Sequence, residues 1–277
     1  MADLFFNQTV ARLATAGIPS PRLETRMIFA HIAGVESNAY DPAGELSPSQ
    51  RQEAEILIAR RAAHEPLDKI LGHRAFYKYD FLVNDQVLSP RPDSEVLVET
   101  ALELIEENQL RSVLELGVGS GCLLLSLLAD RAEMTGVGAD ISKTALAVAQ
   151  KNADRLGVKN RVRLIEFDYF KDYFTERFDL IVSNPPYIPS ADIKLLEPEV
   201  KKYDPLQALD GGADGLEHYR QIARTAGNWL NAGGYLILEA GIGQAEDIID
   251  VCSASGWQPI GVKADLNGIK RCIILKK

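Results

Sequence analysis

Residues 113–121 read Val-Leu-Glu-Leu-Gly-Val-Gly-Ser-Gly, and a strongly apolar run at 122–129 follows them directly. The first four residues have the short, mostly apolar character of a buried strand, and the run that follows is typical of a helix. Glycines at such a turn let the backbone approach a ligand closely, and the helix N-terminus favours a negative group. The stretch therefore predicts a strand, a ligand-binding loop and a helix.

The same alternation of strand and helix continues to the C-terminus. Seven short apolar runs are predicted to be strands, at 113–116, 136–139, 162–165, 180–182, 235–238, 259–262 and 272–275. Helical stretches separate most of them, notably 143–156, 216–230 and 244–255. This pattern predicts a doubly wound, Rossmann-like, mainly parallel sheet with helices on both faces. The last connection is too short for a parallel crossover, so the final strand is expected to be antiparallel.

The residues before this α/β region have a different texture. The first seventy or so show helical periodicity without a convincing strand, and Ser47-Pro48-Ser49-Gln50 has the pattern of a capping box. Aromatic and β-branched residues between 76 and 87 then predict a hairpin, with Asn84-Asp85 as its turn. The expected organisation is an N-terminal helical bundle at 1–74, a hairpin linker at 75–90 and an α/β domain at 91–277.

Composition narrows the functional classes. The net charge is −9 and the pI about 5.1, whereas proteins that bind long phosphate backbones usually carry a basic face, so nucleic acid is not expected as substrate. Three widely spaced cysteines indicate free thiols in a reducing cytoplasm. Residues 1–6 lack the layout of a signal peptide, and no apolar stretch is long enough for a bilayer, so a cytoplasmic protein without membrane contact is expected. The four histidines lack metal-ligand spacing, so no metal is expected.

The glycine loop and a downstream carboxylate together predict an adenosine-containing ligand. Asp140 ends the second predicted strand, where a carboxylate can accept hydrogen bonds from both hydroxyls of a ribose. A dinucleotide site would need Gly-x-Gly-x-x-Gly, but the third glycine comes one residue early, at Gly121. That spacing is associated with S-adenosylmethionine. Asp168 and Tyr169 follow the third strand and could hold and stack the adenine, although a solvated turn fits their spacing equally well.

The fourth predicted strand ends at Asn184-Pro185-Pro186-Tyr187. Two consecutive prolines cannot continue a central strand, and they hold the backbone in one extended shape. A planar nitrogen is a poor nucleophile because its lone pair is delocalised, but two acceptors for its N–H hydrogens can orient it toward a methyl donor. The Asn184 side-chain oxygen and the Pro185 carbonyl are predicted to be those acceptors, with Tyr187 stacked on the flat substrate group.

These motifs resemble those of the HemK/PrmC family, whose members methylate a glutamine side-chain amide in peptide chain release factors. The similarity extends over nearly the whole chain, including Pro90-Arg91-Pro92-Asp93-Ser94-Glu95, where Ser94 replaces the usual threonine, and Glu239-Ala240-Gly241. The resemblance implies a class I methyltransferase fold, S-adenosylmethionine as donor, and a release factor as partner docked by the N-terminal helices. A monomer is expected. The resemblance also implies donor contacts from Gly117, Val118, Gly119, Ser120, Gly121, Asp140, Asp168, Tyr169 and Asn184. It implies that Asn184, Pro185, Pro186 and Tyr187 hold the substrate glutamine, with Asn184, Pro185 and Tyr187 catalytic.

Other functions remain open on the residues alone. The Asn-Pro-Pro-Tyr chemistry would serve an exocyclic amino group of adenine or guanine in RNA or DNA equally well, and the acidic pI favours a protein substrate over this alternative. Glycine spacing disfavours a nicotinamide oxidoreductase, and the presence of both a donor set and an acceptor set disfavours a silent binding module. Arg91, between two prolines, could pair with a ligand carboxylate or with a neighbouring acidic side chain.

Overall fold

The computed structural model describes residues 4–277. Residues 1–3, which begin the expected N-terminal domain and the segment considered as a signal peptide, lie outside the described residues. The chain forms two compact units: residues up to His73 with Glu197–Tyr203, and Arg74–Leu196 with Asp204–Lys277.

Helices come first along residues 4–277, and strands and helices alternate after them. The α-helices are α1 (Leu4–Thr15), α2 (Pro21–Ala33), α3 (Pro48–Ala62), α4 (Leu67–Leu71), α5 (Glu95–Asn108), α6 (Cys122–Asp130), α7 (Lys143–Arg155), α8 (Pro198–Tyr203), α9 (Glu217–Thr225) and α10 (Ala245–Ala254). The strands are β1 (His73–Phe76), β2 (Tyr79–Leu82), β3 (Ser112–Leu116), β4 (Thr135–Asp140), β5 (Val162–Glu166), β6 (Phe178–Ser183), β7 (Leu230–Glu239), β8 (Gln258–Ala264) and β9 (Lys270–Lys276).

The first unit is helical, as its periodicity predicts. Helix α3 begins with the expected capping box, since the Ser47 hydroxyl accepts from the Gln50 amide and the Gln50 side chain accepts from the Ser47 amide. Its apolar core includes Phe6, Phe29 and Ile58. The α4 and α8 helices were not predicted. No helix within residues 4–277 is both long enough and apolar enough to cross a membrane.

The buried Arg61 of α3 attaches the short α8 segment to the first unit. Its guanidinium contacts the Glu24 carboxylate of α2 and donates to Glu199 Oε1 at 2.8 Å. A side chain with 3% exposure keeps its charge only when it is paired in this way. The ion pairs therefore explain why residues distant in sequence belong to the helical unit.

A two-stranded hairpin, β1 with β2, opens the second unit, but its turn lies at Tyr77-Lys78 and not at Asn84-Asp85. The predicted turn position was wrong for a physical reason. Asn84 does form a local turn, because its side chain accepts from the Gln86 amide at 3.0 Å, but this turn follows β2 instead of joining the two strands.

The seven-stranded sheet confirms the predicted topology, with strand order β5-β4-β3-β6-β7-β9-β8. The four pairings among β3 to β7 are parallel, and β9 runs antiparallel to both β7 and β8. Alternate residues of β7 enter opposite cores: Tyr235 and Ile237 pack with α5 and α6, whereas Leu236 and Leu238 pack with α9 and α10. The sheet is thus covered on both faces, as its near-continuous apolar strands require.

The chain order of this sheet places a ligand cleft. From β3 the chain proceeds outward through β4 and β5, and β6 then returns to the other side of β3. In open α/β sheets, ligands bind at the carboxyl ends of strands where the order reverses in this way. The glycine loop after β3 and Asn184 after β6 both leave the sheet at that point.

Candidate functional site

A cleft opens at the carboxyl edge of the sheet, within the second unit. Its walls come from the loops after β3, β4, β5 and β6 and from the segment that precedes α5. The predicted site residues that line it are Gly117, Val118, Gly119, Ser120, Asp140, Asp168, Tyr169, Asn184 and Pro186. The fold therefore brings most of the predicted donor side and part of the predicted acceptor side into one cleft.

Three predicted residues, Gly121, Pro185 and Tyr187, are not in the cleft wall. The Gly121 amide donates to the Val118 carbonyl at 2.7 Å, and its left-handed backbone (φ 83°) starts α6. Pro185 is buried. The Tyr187 ring lies against Gly241, and its carbonyl accepts from the Gln244 side chain at 3.0 Å. In this structure these three residues therefore lie outside the cleft wall, and Tyr187 packs against Gly241 and Gln244.

The glycine loop has the shape that close ligand approach requires. Gly117 and Gly119 adopt φ values of 73° and 52°, which residues other than glycine rarely adopt. A Cβ at either position would meet no protein atom within 4 Å, so the space beside the loop is open. The loop is tied to β4, because the amides of Gly117 and Val118 both donate to the Ala139 carbonyl. Backbone, rather than side chains, therefore faces the cleft here.

Asp140, at the end of β4, organises the same wall. Its Oδ2 accepts from the Gly119 amide at 2.9 Å, and its Oδ1 accepts from the Ser142 amide at 2.8 Å. Burial raises the pKa of Asp140, and the two backbone hydrogen bonds oppose that rise. Each carboxylate oxygen can accept further hydrogen bonds, so the group can still receive the two hydroxyls of a ribose.

Aromatic side chains form the wall after β5. Tyr169 and Phe170 stack with their ring centroids 5.3 Å apart, and the Tyr169 hydroxyl lies 2.5 Å from His218 Nδ1. His218 Nε2 faces the Asp210 carbonyl, which can only accept, so Nδ1 of the neutral ring accepts from Tyr169. Burial lowers the pKa of His218, which favours that neutral form. Asp168 lies in the same wall, and Lys171 donates to its carboxylate and lowers its pKa.

Two buried polar side chains in or behind the cleft wall were not predicted by local sequence patterns. Glu115, fully buried in β3, accepts from the Leu124 amide at 2.9 Å, and burial raises its pKa well above the ordinary value. Asn152 of α7 donates to the Ser120 carbonyl and exchanges hydrogen bonds with the Leu82 backbone. A polar residue on the buried face of an amphipathic helix was the only signal available for Asn152.

The predicted acceptor side of the cleft is centred on Asn184. Its amide nitrogen donates to the Ser94 hydroxyl at 3.3 Å. Glu239, at the end of the neighbouring strand β7, is 2% exposed. Burial raises the pKa of Glu239 to about 7, and interactions with the Ser94 hydroxyl, Arg271 and the Asn184 amide oppose the rise. Neither Ser94 nor Glu239 was assigned a role from the sequence.

Arg91 makes one of the two kinds of contact that the sequence left open. Its guanidinium donates to Asp204 Oδ2 at 2.8 Å, so it pairs with a neighbouring acidic side chain. Arg91 also contributes to the cleft wall.

Solved structures with the same fold define the class. The catalytic domain of hMettl16, solved in complex with MAT2A 3′UTR hairpin 6, matches 90% of this chain and 91% of its own with a TM-score of 0.59 at 13% identity. A methyltransferase from Pyrococcus furiosus matches 82% of this chain and 98% of its own with a TM-score of 0.52 at 19% identity. The family model described as methyltransferase small domain matches residues 92–196. These matches show the fold of class I methyltransferases, with a methyltransferase domain at residues 92–196.

Sequence relatives identify the family within that class. The family model of the PrmC N-terminal domain matches residues 5–72. The release factor glutamine methyltransferase of Rhodospirillum rubrum is 44% identical to this chain, over 96% of this chain and 82% of the relative. That of Geobacter sulfurreducens is 43% identical, over 94% of this chain and 91% of the relative. That of Agrobacterium fabrum is 39% identical over 96% of this chain and 94% of the relative. The chain belongs to the PrmC/HemK family of release factor glutamine methyltransferases.

Proposed function

We propose that this protein transfers the methyl group of S-adenosylmethionine to the side-chain amide nitrogen of the glutamine in the Gly-Gly-Gln motif of peptide chain release factors. The names of relatives that match nearly the whole chain support this acceptor. The observation that carries the chemistry is the position of Asn184 in the same cleft as the glycine loop and Asp140.

On the donor side, the residues present suit the proposed ligand. The backbone at Gly117 to Ser120 leaves open space beside the start of α6, where a carboxylate is favoured. Asp140 receives the ribose hydroxyls, and Tyr169 offers a ring face to adenine. Asp168 receives the adenine amino group in this scheme, in competition with Lys171. When bound, the donor supplies an electrophilic methyl group on a positively charged sulfur.

On the acceptor side, the site orients a weak nucleophile. In this proposal Asn184 Oδ1 and the Pro185 carbonyl accept the two N–H hydrogens of the substrate amide, which turns its lone pair toward the methyl group. The Pro185 contact stays a prediction, because Pro185 is buried and does not line the cleft in this structure. The nitrogen lone pair forms the new N–C bond, the electrons of the broken S–C bond stay on sulfur, and a proton then leaves to water. These acceptors stabilise the positive charge that develops on nitrogen, so the contribution is orientation and electrostatics.

Pro186 and Tyr187 complete the proposed acceptor site. Pro186 lines the cleft, and Tyr187 is proposed to stack on the flat substrate amide. That stacking stays a prediction, because the Tyr187 ring lies against Gly241 in this structure.

The proposed organisation assigns docking of the protein substrate to residues 1–74, a linker to 75–90 and catalysis to 91–277. The helical unit offers exposed apolar side chains for such contact, among them Leu23 of α2 and Ile56 of α3. A monomer is proposed as the active form. The three free thiols are in keeping with a reducing compartment, and the proposal places the reaction in the cytoplasm.

The decisive experiment offers purified release factor, ribosomal RNA and DNA in parallel with a methyl-labelled donor. Label is expected in the release factor, and it should disappear when the glutamine of Gly-Gly-Gln is replaced. Label confined to RNA or DNA would overturn the proposal and favour an exocyclic amino group. Persistence of label after replacement of the glutamine would overturn the assigned acceptor atom.

A further inference from the structure

The ends of three neighbouring strands place a row of functional residues across the sheet. Leu116 of β3 pairs with Ser183 of β6, and Ser183 pairs with Leu238 of β7. The next residue along each strand is therefore Gly117, Asn184 or Glu239, side by side. Neighbours at the same level of a parallel sheet direct their side chains to the same face. The register alone thus brings the Glu239 carboxylate beside the Asn184 amide.

The helix that covers this face supplies the third group. Ser94 directly precedes α5, and its side chain is 3% exposed. The Asn184 amide nitrogen donates to the Ser94 hydroxyl at 3.3 Å. A hydroxyl that accepts one hydrogen bond can donate another, and the Ser94 hydroxyl interacts with the Glu239 carboxylate. The Asn184 amide also interacts with that carboxylate, which an amide can do favourably only through its nitrogen.

We propose that Ser94 and Glu239 are positioning residues that fix the orientation of the Asn184 amide. The Asn184 side-chain nitrogen donates to Ser94 and interacts with the Glu239 carboxylate, so Oδ1 is the polar atom that Asn184 offers to the cleft. This inference rests on the proposed function, in which that oxygen accepts an N–H of the substrate amide.

The orientation decides whether the site can work. If the amide rotated by half a turn, its nitrogen would face the substrate nitrogen, and two N–H donors would oppose each other. A carboxylate can accept but never donate, so ionised Glu239 discriminates between the two orientations more strongly than water does. Glu239 Oε2 is buried and makes no hydrogen bond within residues 4–277, so this carboxylate has acceptor capacity left for the neighbouring Asn184 amide.

A purely structural role for the buried carboxyl is the competing explanation. Charged and titratable groups from several elements face Glu239, namely Asp93 before α5, Arg271 and Cys272 of β9, Tyr187 after β6, Tyr219 of α9 and Cys122 of α6. Arg271 donates to Asp93 and Asp265 and to the Ala240 carbonyl, so its charge is balanced without Glu239. A structural role predicts lost stability, whereas a positioning role predicts a lower kcat with binding intact.

The experiment compares Ser94→Ala, Ser94→Thr and Glu239→Leu with the wild-type protein in steady-state methyl transfer to release factor. Ser126→Ala is the matched control, since Ser126 is a fully buried serine outside the cleft. Ser94→Ala is expected to lower kcat about tenfold and Glu239→Leu about a hundredfold, the range that misplaced catalytic groups produce. The KM for release factor and the donor Kd should change less than about threefold. Ser94→Thr, which keeps the hydroxyl, should recover most of the loss.

A second readout needs no acceptor and therefore separates this inference from the proposed function. Hydrogen exchange at the Asn184 side-chain amide, assigned by its loss in Asn184→Asp, should be slow in the wild-type protein and about tenfold or more faster in Ser94→Ala. Fast exchange in both proteins, or an unchanged kcat in Ser94→Ala and Glu239→Leu, would overturn the positioning role. Slow exchange in a wild-type protein that methylates no release factor would instead leave the positioning role supported and the proposed function refuted.

Discussion

Replacement of Asp140 by asparagine provides a sharp test of the donor side, because it keeps the shape of the side chain and removes one acceptor oxygen. The wild-type carboxylate already holds the Gly119 and Ser142 amides and is proposed to accept two ribose hydroxyls as well. The asparagine nitrogen cannot accept, so one charge-assisted hydrogen bond to the donor is lost. Such a bond contributes about 2 kcal/mol, which corresponds to donor binding weaker by about 30-fold.

Titration calorimetry with S-adenosylmethionine measures this directly, with the exposed Asp154→Asn as the matched control. The pH dependence gives a second check. Burial raises the pKa of Asp140, so the carboxylate is protonated, and donor affinity lost, at a pH above the ordinary aspartate value of about 3.9. Asp140→Asn should lack this acid limb. Donor affinity within twofold of wild type in a folded Asp140→Asn protein would refute the ribose assignment.

Two further predictions concern buried polar groups. Asn152→Ala leaves the Leu82 backbone and the Ser120 carbonyl without their Asn152 partner. Urea denaturation should therefore show a free energy of unfolding lower by about 3 kcal/mol, and donor affinity should fall. An effect no larger than that of the exposed Asn160→Ala would contradict this role. For Glu239, burial raises the pKa from 4.5 to about 7, so the carboxyl stabilises the fold below pH 4.5, and this contribution is lost as the pH rises through 7. The difference in the free energy of unfolding between Glu239→Gln and wild type should therefore shift in favour of the variant by on the order of 3 kcal/mol between pH 4.5 and pH 8. A pH-independent difference would show that the carboxyl is not buried as described.

The seven strands and their mainly parallel arrangement were predictable because each strand is a short apolar run between helices. The glycine loop, Asp140 and Asn184 were also predictable, since each lies within one or two residues of a strand end. Parallel strands bring their carboxyl ends to one edge of the sheet, so local patterns were enough to place these residues together.

The hairpin shows where local patterns fail. Asn84-Asp85 is a stronger turn signal than Tyr77-Lys78, yet the chain turns at Tyr77, which adopts a left-handed φ of 55°. The Tyr77 amide donates to the Glu95 side chain at 3.0 Å, a contact with a helix that sequence patterns cannot predict. Tertiary contacts thus override a local preference.

The support around Asn184 was not predictable for the same reason. Ser94, Asn184 and Glu239 are separated by long stretches of chain, and only the register of β6 with β7 and the docking of α5 bring them together. Nor does the sequence show which face of the segment Tyr187 occupies, and its ring lies against Gly241 in this structure.

The most direct test of the central claim is the single-turnover rate of methyl transfer to the glutamine amide of release factor by Asn184→Ala, at saturating donor. Loss of the Asn184 oxygen should lower this rate by about a hundredfold or more, the effect of removing one preorganised polar group from a reacting centre. The donor Kd should stay within about threefold of wild type. A single-turnover rate within threefold of wild type would contradict the claim that Asn184 orients the substrate nitrogen.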